Sequence, residues 1–305
     1  MSLTLDTEFA RNRSIWAQAR DYAELTKPSI NRMCLLMTAG GMFLAPRDAE
    51  GKFALGIGSA LAALIGTALA VASANALNMW LERHTDRLMR RTKDRPLAAQ
   101  RISENGALAF GIGLGVLATF ILALCSNLAT TLLGLAAIIS YVGVYTPMKY
   151  RAPIALVIGA IPGAVPPLMG WTAVTGSLDL PGIILFAVLF VWQMPHFIAI
   201  SIVRLRDYEA AGIRTVPGVR GLSNARVQAL LWSVLLVPTS LALAFTAVAG
   251  AVYGVTALVA GLAFLGLTLA GFARQDVNRW AHHLFVASLI YLPVLIAGLT
   301  VDVLL

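Results

Sequence analysis

The chain has 305 residues, of which 58% fall in the AVILMFWYC class and only 12% are Asp, Glu, Lys or Arg, about half the usual charged share. So little charge leaves too little polar surface to cover a soluble core, which excludes a pair of ordinary soluble domains. The net charge of +8 then reads as the basic loops of a polytopic membrane protein rather than as a nucleic-acid surface.

Residues 1–28 are polar, with Arg11, Arg13, Arg20 and Lys27 interspersed among Asp6, Glu8, Asp21 and Glu24. They lack the pattern of a signal peptide and are too acidic for a transit peptide, so a cytoplasmic segment on a bacterial inner membrane is expected. Charge-free intervals then mark the spans, each needing about 20 apolar residues. Residues 33–46, extended by Ser29 to Arg32, form the first and 53–81 the second. The interval 105–148 holds two, turning at Ser126-Asn127, and 152–178 and 180–203 hold one each. Two more fill 227–273, turning near Gly250, and 280–301 is the last. The expected fold is all-α, a bundle of nine transmembrane helices over 29–305 with its N-terminus cytoplasmic.

The basic residues support this count. With nine spans, twenty-one of the twenty-three Lys and Arg fall on the N-terminal side, and only Arg47 and Lys52 on the other. Gly111-x-Gly113-x-Gly115 and Gly159-x3-Gly163 provide for close backbone approach between helices. Pro162, Pro166, Pro167 and Pro195 are expected to kink two spans and open a cavity. Cys34 and Cys125 lie in apolar stretches and read as core thiols.

Two loops on the basic side, about 82–104 and 204–226, are far more polar than the rest. Asn78, Glu82 and Asp86 are four residues apart, which on a helix places one amide and two carboxylates on a single face. The two acids would repel unless a cation lay between them, and carboxylates that leave room for waters and phosphates suit Mg²⁺. Arg90, Arg91, Lys93 and Arg95 follow as phosphate donors. The second loop carries Arg206, Asp207, Tyr208 and Glu209, with Asp207 placed to face the first acidic site. His84, His282 and His283 read as solvated or interfacial, and Asp94 and Glu209 as exposed. His196 is different: it lies inside a span, one residue after Pro195, and should face protein or a cavity.

At these loops the sequence resembles the UbiA superfamily of intramembrane prenyltransferases, in particular its haem O synthase branch. The residues that carry the resemblance are Asn78-x3-Glu82-x3-Asp86, with Glu where the superfamily usually has Asp, and Met89-Arg-Arg91-Thr92-Lys93-Asp-Arg95-Pro96. Tyr22 to Pro28, Tyr145-Thr146 with Lys149, Gly163 to Trp171, and Trp192-Gln-Met-Pro195-His196-Phe197 also match. The second acidic signature is reduced to Asp207-Tyr208 with Glu209. The resemblance implies transfer of a farnesyl group from farnesyl diphosphate to the 2-vinyl group of haem B. On that reading Asn78, Glu82, Asp86 and Asp207 are catalytic and hold Mg²⁺. Arg91, Lys93, Arg95, Lys149 and Arg206 take the diphosphate. His196, Trp192, Phe197 and Tyr145 face haem or the prenyl chain, with Trp171 a further π face. A downstream haem A synthase or terminal oxidase assembly is an implied partner. The residues alone also admit a quinone or chlorophyll prenyltransferase, or a transporter of an anionic amphipathic metabolite.

Overall fold

The computed structural model describes residues 14–46 and 56–304. Arg11, Arg13, Arg47 and Lys52, with the rest of 1–13, lie outside the described residues, so both basic residues of the minority side do.

Every described element is helical. A short helix, α1 (Ile15–Leu25), precedes α2 (Pro28–Leu44), α3 (Ile57–Glu82), α4 (Glu104–Cys125) and α5 (Leu128–Met148). They are followed by α6 (Ala155–Thr175), α7 (Leu180–Val203), the one-turn α8 (Leu205–Ala210), α9 (Val216–Phe245), α10 (Ala251–Ala270) and α11 (Val277–Leu304). Among the described residues eight helices are long and apolar enough to cross a membrane: α3 to α7 and α9 to α11. The remaining candidate, α2, forms but has 17 residues, about 25 Å of rise against a hydrocarbon core of about 30 Å. The expected turns at Ser126-Asn127 and Gly250 are where the helices break, each with a physical cause. Asn127 Oδ1 accepts from Thr130 N at 2.9 Å to cap α5. At Gly250, Asp302 accepts from the backbone N–H groups of Gly250, Val252 and Tyr253 at 2.7, 3.1 and 2.7 Å, filling the orphan donors that begin α10.

Two groups of helices meet at the α6–α7 contact. In the first, α3 packs on α4, and α2 and α5 pack on α6; in the second, α7, α9, α10 and α11 enclose the largest apolar core, around Ile198, Leu236, Phe264, Leu284 and Tyr291. Small residues allow the first group its close approach. Ser73 Oγ donates to Gly111 O at 2.7 Å between α3 and α4, as the Gly111 motif predicts, whereas Gly113 of the same motif meets no neighbour. On α6 the three prolines do not break the helix. Proline removes the donor for the carbonyl four residues back, and this helix is the most enclosed of the spans. Its partner α2 approaches it backbone to backbone at two points: a Cβ on Gly41 would overlap the Pro167 carbonyl, and one on Gly170 the Thr38 carbonyl.

Two expectations fail here. Cys125 is exposed at the end of α4 and Cys34 only half-buried, because hydropathy cannot separate a lipid-facing position from a core one. Trp171 is buried against Gly182, sixteen residues from the start of α6 at Ala155 and so about 24 Å from the polar end of that helix.

The α2–α6 contact generates a test. Gly170→Ala should cost about 1–3 kcal/mol of stability by overpacking, read as a lower melting temperature of the purified protein. Gly40→Ala, where a Cβ meets nothing within 4 Å, should melt as the parent does.

Candidate active site

The polar loops converge at one end of the bundle. Arg91, in the loop after α3, places its guanidinium over the Tyr208 ring at 5.3 Å and donates to the Tyr208 hydroxyl at 3.3 Å. Arg214 N donates to Lys149 O at 2.8 Å. Thus the 82–104 loop, the α5–α6 connection and the segment from α8 into the start of α9 share one mouth, and Asp86 and Asp207 lie at the same end of the protein. The expected 204–226 loop is instead helical at Leu205–Ala210 and from Val216, with a break at Gly221.

At that mouth α3 delivers Asn78 and Glu82, and the helix ends at Glu82. Asp86 therefore does not continue the helical face that the four-residue spacing suggests. It begins a short 3₁₀ turn, Asp86–Leu88, and turns inward all the same. Asn78, Glu82 and Asp86 are 2%, 4% and 1% exposed, so two carboxylates are almost wholly withdrawn from water. Such burial is tolerable only with close positive charge.

The cations are supplied by the chain. Lys149 Nζ forms an ion pair with Glu82 Oε1. Arg95 Nη1 donates to Asp86 Oδ1 at 2.9 Å and Oδ2 at 2.8 Å. Lys27 Nζ donates to Asn78 Oδ1 at 2.9 Å. Arg95 and Lys149, read from the sequence as diphosphate donors, thus stand on the carboxylates themselves. The Asn78 amide then has one orientation. Its Nδ2 donates to Glu82 Oε1 at 2.6 Å and to Thr146 Oγ1 at 3.1 Å, and Thr146 Oγ1 spends its own proton on Tyr141 O at 2.8 Å.

The electrostatics follow from this packing. Burial raises the Asp86 carboxyl above the usual carboxylate range, against the opposing pull of Arg95. Loss of solvation pushes the Lys27 ammonium down to about 7, helped by the positive charge of Arg95. Tyr150 is pushed up to about 12 by burial and then by the Glu82 charge, while its hydroxyl is held by Thr85 Oγ1 at 2.7 Å. Lys27, Thr146, Thr85 and Tyr150 are the site residues that the sequence reading left unassigned. The Lys27-Pro28 pair and Thr146 beside Tyr145 were the available signals.

The loop that carries Arg95 is fastened on both sides. Thr92 Oγ1 donates to Asp86 O at 2.8 Å and Arg87 Nε to Ala98 O at 3.0 Å. Arg101 bridges to α1 through Asp21 at 2.9 Å and Glu24 at 3.3 Å, and between α1 and α2 Lys27 adopts φ 47°, a left-handed conformation uncommon outside glycine.

The other candidate residues are distributed around this centre. Arg91, Lys93, Arg206 and Glu209 are exposed, as are Asp94 and His84, and Asp207 is half-buried. Among the described residues no three His, Cys, Asp or Glu side chains form a metal-binding group, so Asp207 does not join Glu82 and Asp86 in one. Two buried hard-oxygen carboxylates facing a cationic rim still fit Mg²⁺, which is held by one or two carboxylates plus substrate phosphates. Tyr145 packs on Gly159 and lies 5.2 Å from the Tyr141 ring. In α7, His196 stacks on Trp192 at 5.0 Å, with Phe285 at 4.9 Å and Phe197 at 5.6 Å. Its Nδ1 is 2.8 Å from Ser288 Oγ, and Trp192 Nε1 donates to Ser288 O at 2.8 Å. His196 is thus a half-buried residue seated between α7 and α11 rather than part of the carboxylate cluster.

Comparison with known proteins agrees with this architecture. Residues 34–289 match the UbiA prenyltransferase family. A protoheme IX farnesyltransferase of Myxococcus xanthus is 46% identical over 293 residues, covering 96% of this chain and 98% of its own. A solved digeranylgeranylglyceryl phosphate synthase superposes with a TM-score of 0.79 at 17% identity, covering 94% of this chain and 98% of that one. A UbiA homologue from Archaeoglobus fulgidus, bound to GPP and Mg²⁺, gives 0.66 at 19% identity over 92% of this chain and 99% of its own. The eight membrane-length helices among the described residues, the polar mouth and these similarities agree: the chain is a membrane-embedded enzyme and belongs to the UbiA prenyltransferase family.

Proposed function

We propose that this enzyme transfers a farnesyl group from farnesyl diphosphate to the 2-vinyl group of haem B, forming haem O. The reaction is placed at the cytoplasmic face of a bacterial inner membrane. The observation that carries the reading is the pair of buried carboxylates, Glu82 and Asp86, ringed by Lys149, Arg95 and Lys27 at the mouth of a membrane bundle. The naming of relatives such as the Myxococcus xanthus protein supports the farnesyl donor and the haem acceptor.

An allylic C–O bond breaks when the departing diphosphate is stabilised, and Mg²⁺, when bound, supplies that charge as a Lewis acid. Glu82 and Asp86 would hold the metal, with Asn78 and Asp207 completing the acidic mouth. Arg91, Lys93 and Arg206 on the rim, with Arg95 and Lys149, meet the phosphate oxygens as charge-assisted donors. The apolar bundle below keeps water from the allylic cation. Tyr145, Trp192 and Phe197 offer π faces worth about 0.5–2 kcal/mol each. His196, already oriented by Ser288, positions the haem. The acids sit at helix ends beside basic loops instead of at the bundle midplane, where a transporter holds its ionisable groups.

Mass analysis of haem after incubation with farnesyl diphosphate should reveal haem O with Mg²⁺ and none in EDTA; equal product in both would refute the metal-assisted step. Asp86→Ala and Asp207→Ala should each abolish transfer while the protein still inserts and folds, and parental haem O yields from either would remove that residue from the active site. His196→Ala should weaken haem binding, measured by absorbance titration, with melting unchanged; an unaltered haem affinity would make it a packing residue only.

A further inference from the structure

In the acidic mouth the three buried acceptors expected to serve a metal each have a basic partner of the protein's own. Glu82 is held by Lys149, Asp86 by both oxygens to Arg95, and Asn78 Oδ1 by Lys27. The last pairing follows from the amide's orientation: the hydroxyl of Thr146, already donating to Tyr141 O, takes a donor from Asn78, so Nδ2 faces Thr146 and Oδ1 faces Lys27. From the opposite standpoint, two residues expected to grip diphosphate, Arg95 and Lys149, are occupied by carboxylates. The two halves of the site neutralise each other.

Consider the ligands singly. A divalent cation arriving alone must displace Lys149 and Arg95 from Glu82 and Asp86, leaving those side chains beside a new positive charge in a half-enclosed mouth. A diphosphate arriving alone must draw the same cations away, leaving carboxylates that are 4% and 1% exposed with no counter-charge beside a polyanion. Each case leaves buried charge uncompensated, which is strongly unfavourable. When both arrive, the exchange completes itself: carboxylates pass from Lys and Arg to the metal, and Lys and Arg pass to phosphate oxygens.

From this pairing we infer that Lys149, Arg95 and Lys27 act as exchangeable counter-ions, so that the enzyme takes up metal and diphosphate as a coupled pair rather than as independent ligands. The inference rests on the proposed metal–diphosphate reading of the mouth and adds to it an obligatory positive linkage. Linkage is reciprocal, so each ligand must tighten the other by the same factor, typically about 5–150-fold.

The test uses the full-length protein in lipid nanodiscs with Mn²⁺ and inorganic pyrophosphate as probes. Mn²⁺ alone is followed by electron paramagnetic resonance, pyrophosphate alone by calorimetry in EDTA, and the two together after correction for their complex in solution. The parent should bind each probe weakly and both together at least about fivefold more tightly than independent sites would. Opposite signs are expected from two variants. Lys149→Gln frees Glu82, so Mn²⁺ alone should bind more tightly and pyrophosphate more weakly. Glu82→Gln frees Lys149, so pyrophosphate alone should bind more tightly and Mn²⁺ more weakly. A merely structural ion pair would weaken both probes in both variants, and that result, or independent binding in the parent, overturns the inference. If one variant does not fold, the parent's coupling and the other variant decide. The haem O assay on the same preparation separates the two levels: product with uncoupled binding refutes the counter-ion exchange alone, whereas coupled binding without product refutes the proposed reaction and leaves the exchange standing.

Discussion

The structure turns on the cost of placing Glu82 and Asp86 out of water at the end of a membrane bundle. Neither acid could remain charged there without a cation within contact distance, and the cations come from distant parts of the chain: Lys27 before α2, Arg95 in the loop after α3, Lys149 between α5 and α6. Satisfying them draws four segments together and closes one end of the bundle. Lipid gives helices no hydrophobic reason to choose one neighbour over another, so these polar contacts, with the small-residue contacts of α2 on α6 and α3 on α4, set which elements meet.

The bundle itself provides two different environments. Around α7, α9, α10 and α11 the core is filled by large apolar and aromatic side chains, with Tyr253 and Tyr291 both hydrogen-bonded at Ser240. Around α2, α3, α4 and α6 glycine and alanine let neighbours come close, with Leu77 and Leu122 seated on glycines and Pro167 and Thr38 carbonyls against Gly41 and Gly170. The mouth lies beside the closely packed group of α2, α3, α4 and α6, and the aromatic set around His196 belongs to the group of α7, α9, α10 and α11.

Much of this was legible from residue order because membrane insertion imposes long-range rules on composition. Charge-free stretches located most spans to within a few residues, although α9 begins at Val216 and carries Arg220 and Arg226 inside it, and turns at Asn127 and Gly250 announced themselves by polarity and flexibility. Length was the weaker guide at α2, a helix flanked by Lys27 and Ala45 that carries Asn31 and Arg32 in its first turns and packs along α6. At the mouth, the Asn78-Glu82-Asp86 spacing picked out three side chains that are buried together for a reason that holds only in part: the helix stops at Glu82, and Asp86 is brought inward by Arg95 and by Thr92 bonding its carbonyl. What residue order could not supply was pairing. Nothing local tells that Lys149 meets Glu82 across 67 positions, or that Lys27 reaches Asn78 across 51, since such partners are chosen by tertiary packing. Solvent-side and lipid-side placement was equally opaque, as Cys125 demonstrates.

The left-handed backbone at Lys27 has a mechanical corollary. The stretch from Ile15 to Lys27 is held to Arg101 through Asp21 and Glu24 and to Asn78 through Lys27, with the left-handed residue between α1 and α2. A pull from upstream of Ile15 therefore meets the Arg101 anchors at Asp21 and Glu24 before it reaches the Asn78 amide, so that a fusion partner attached there is braced against the loop after α3 and not against the polar mouth itself.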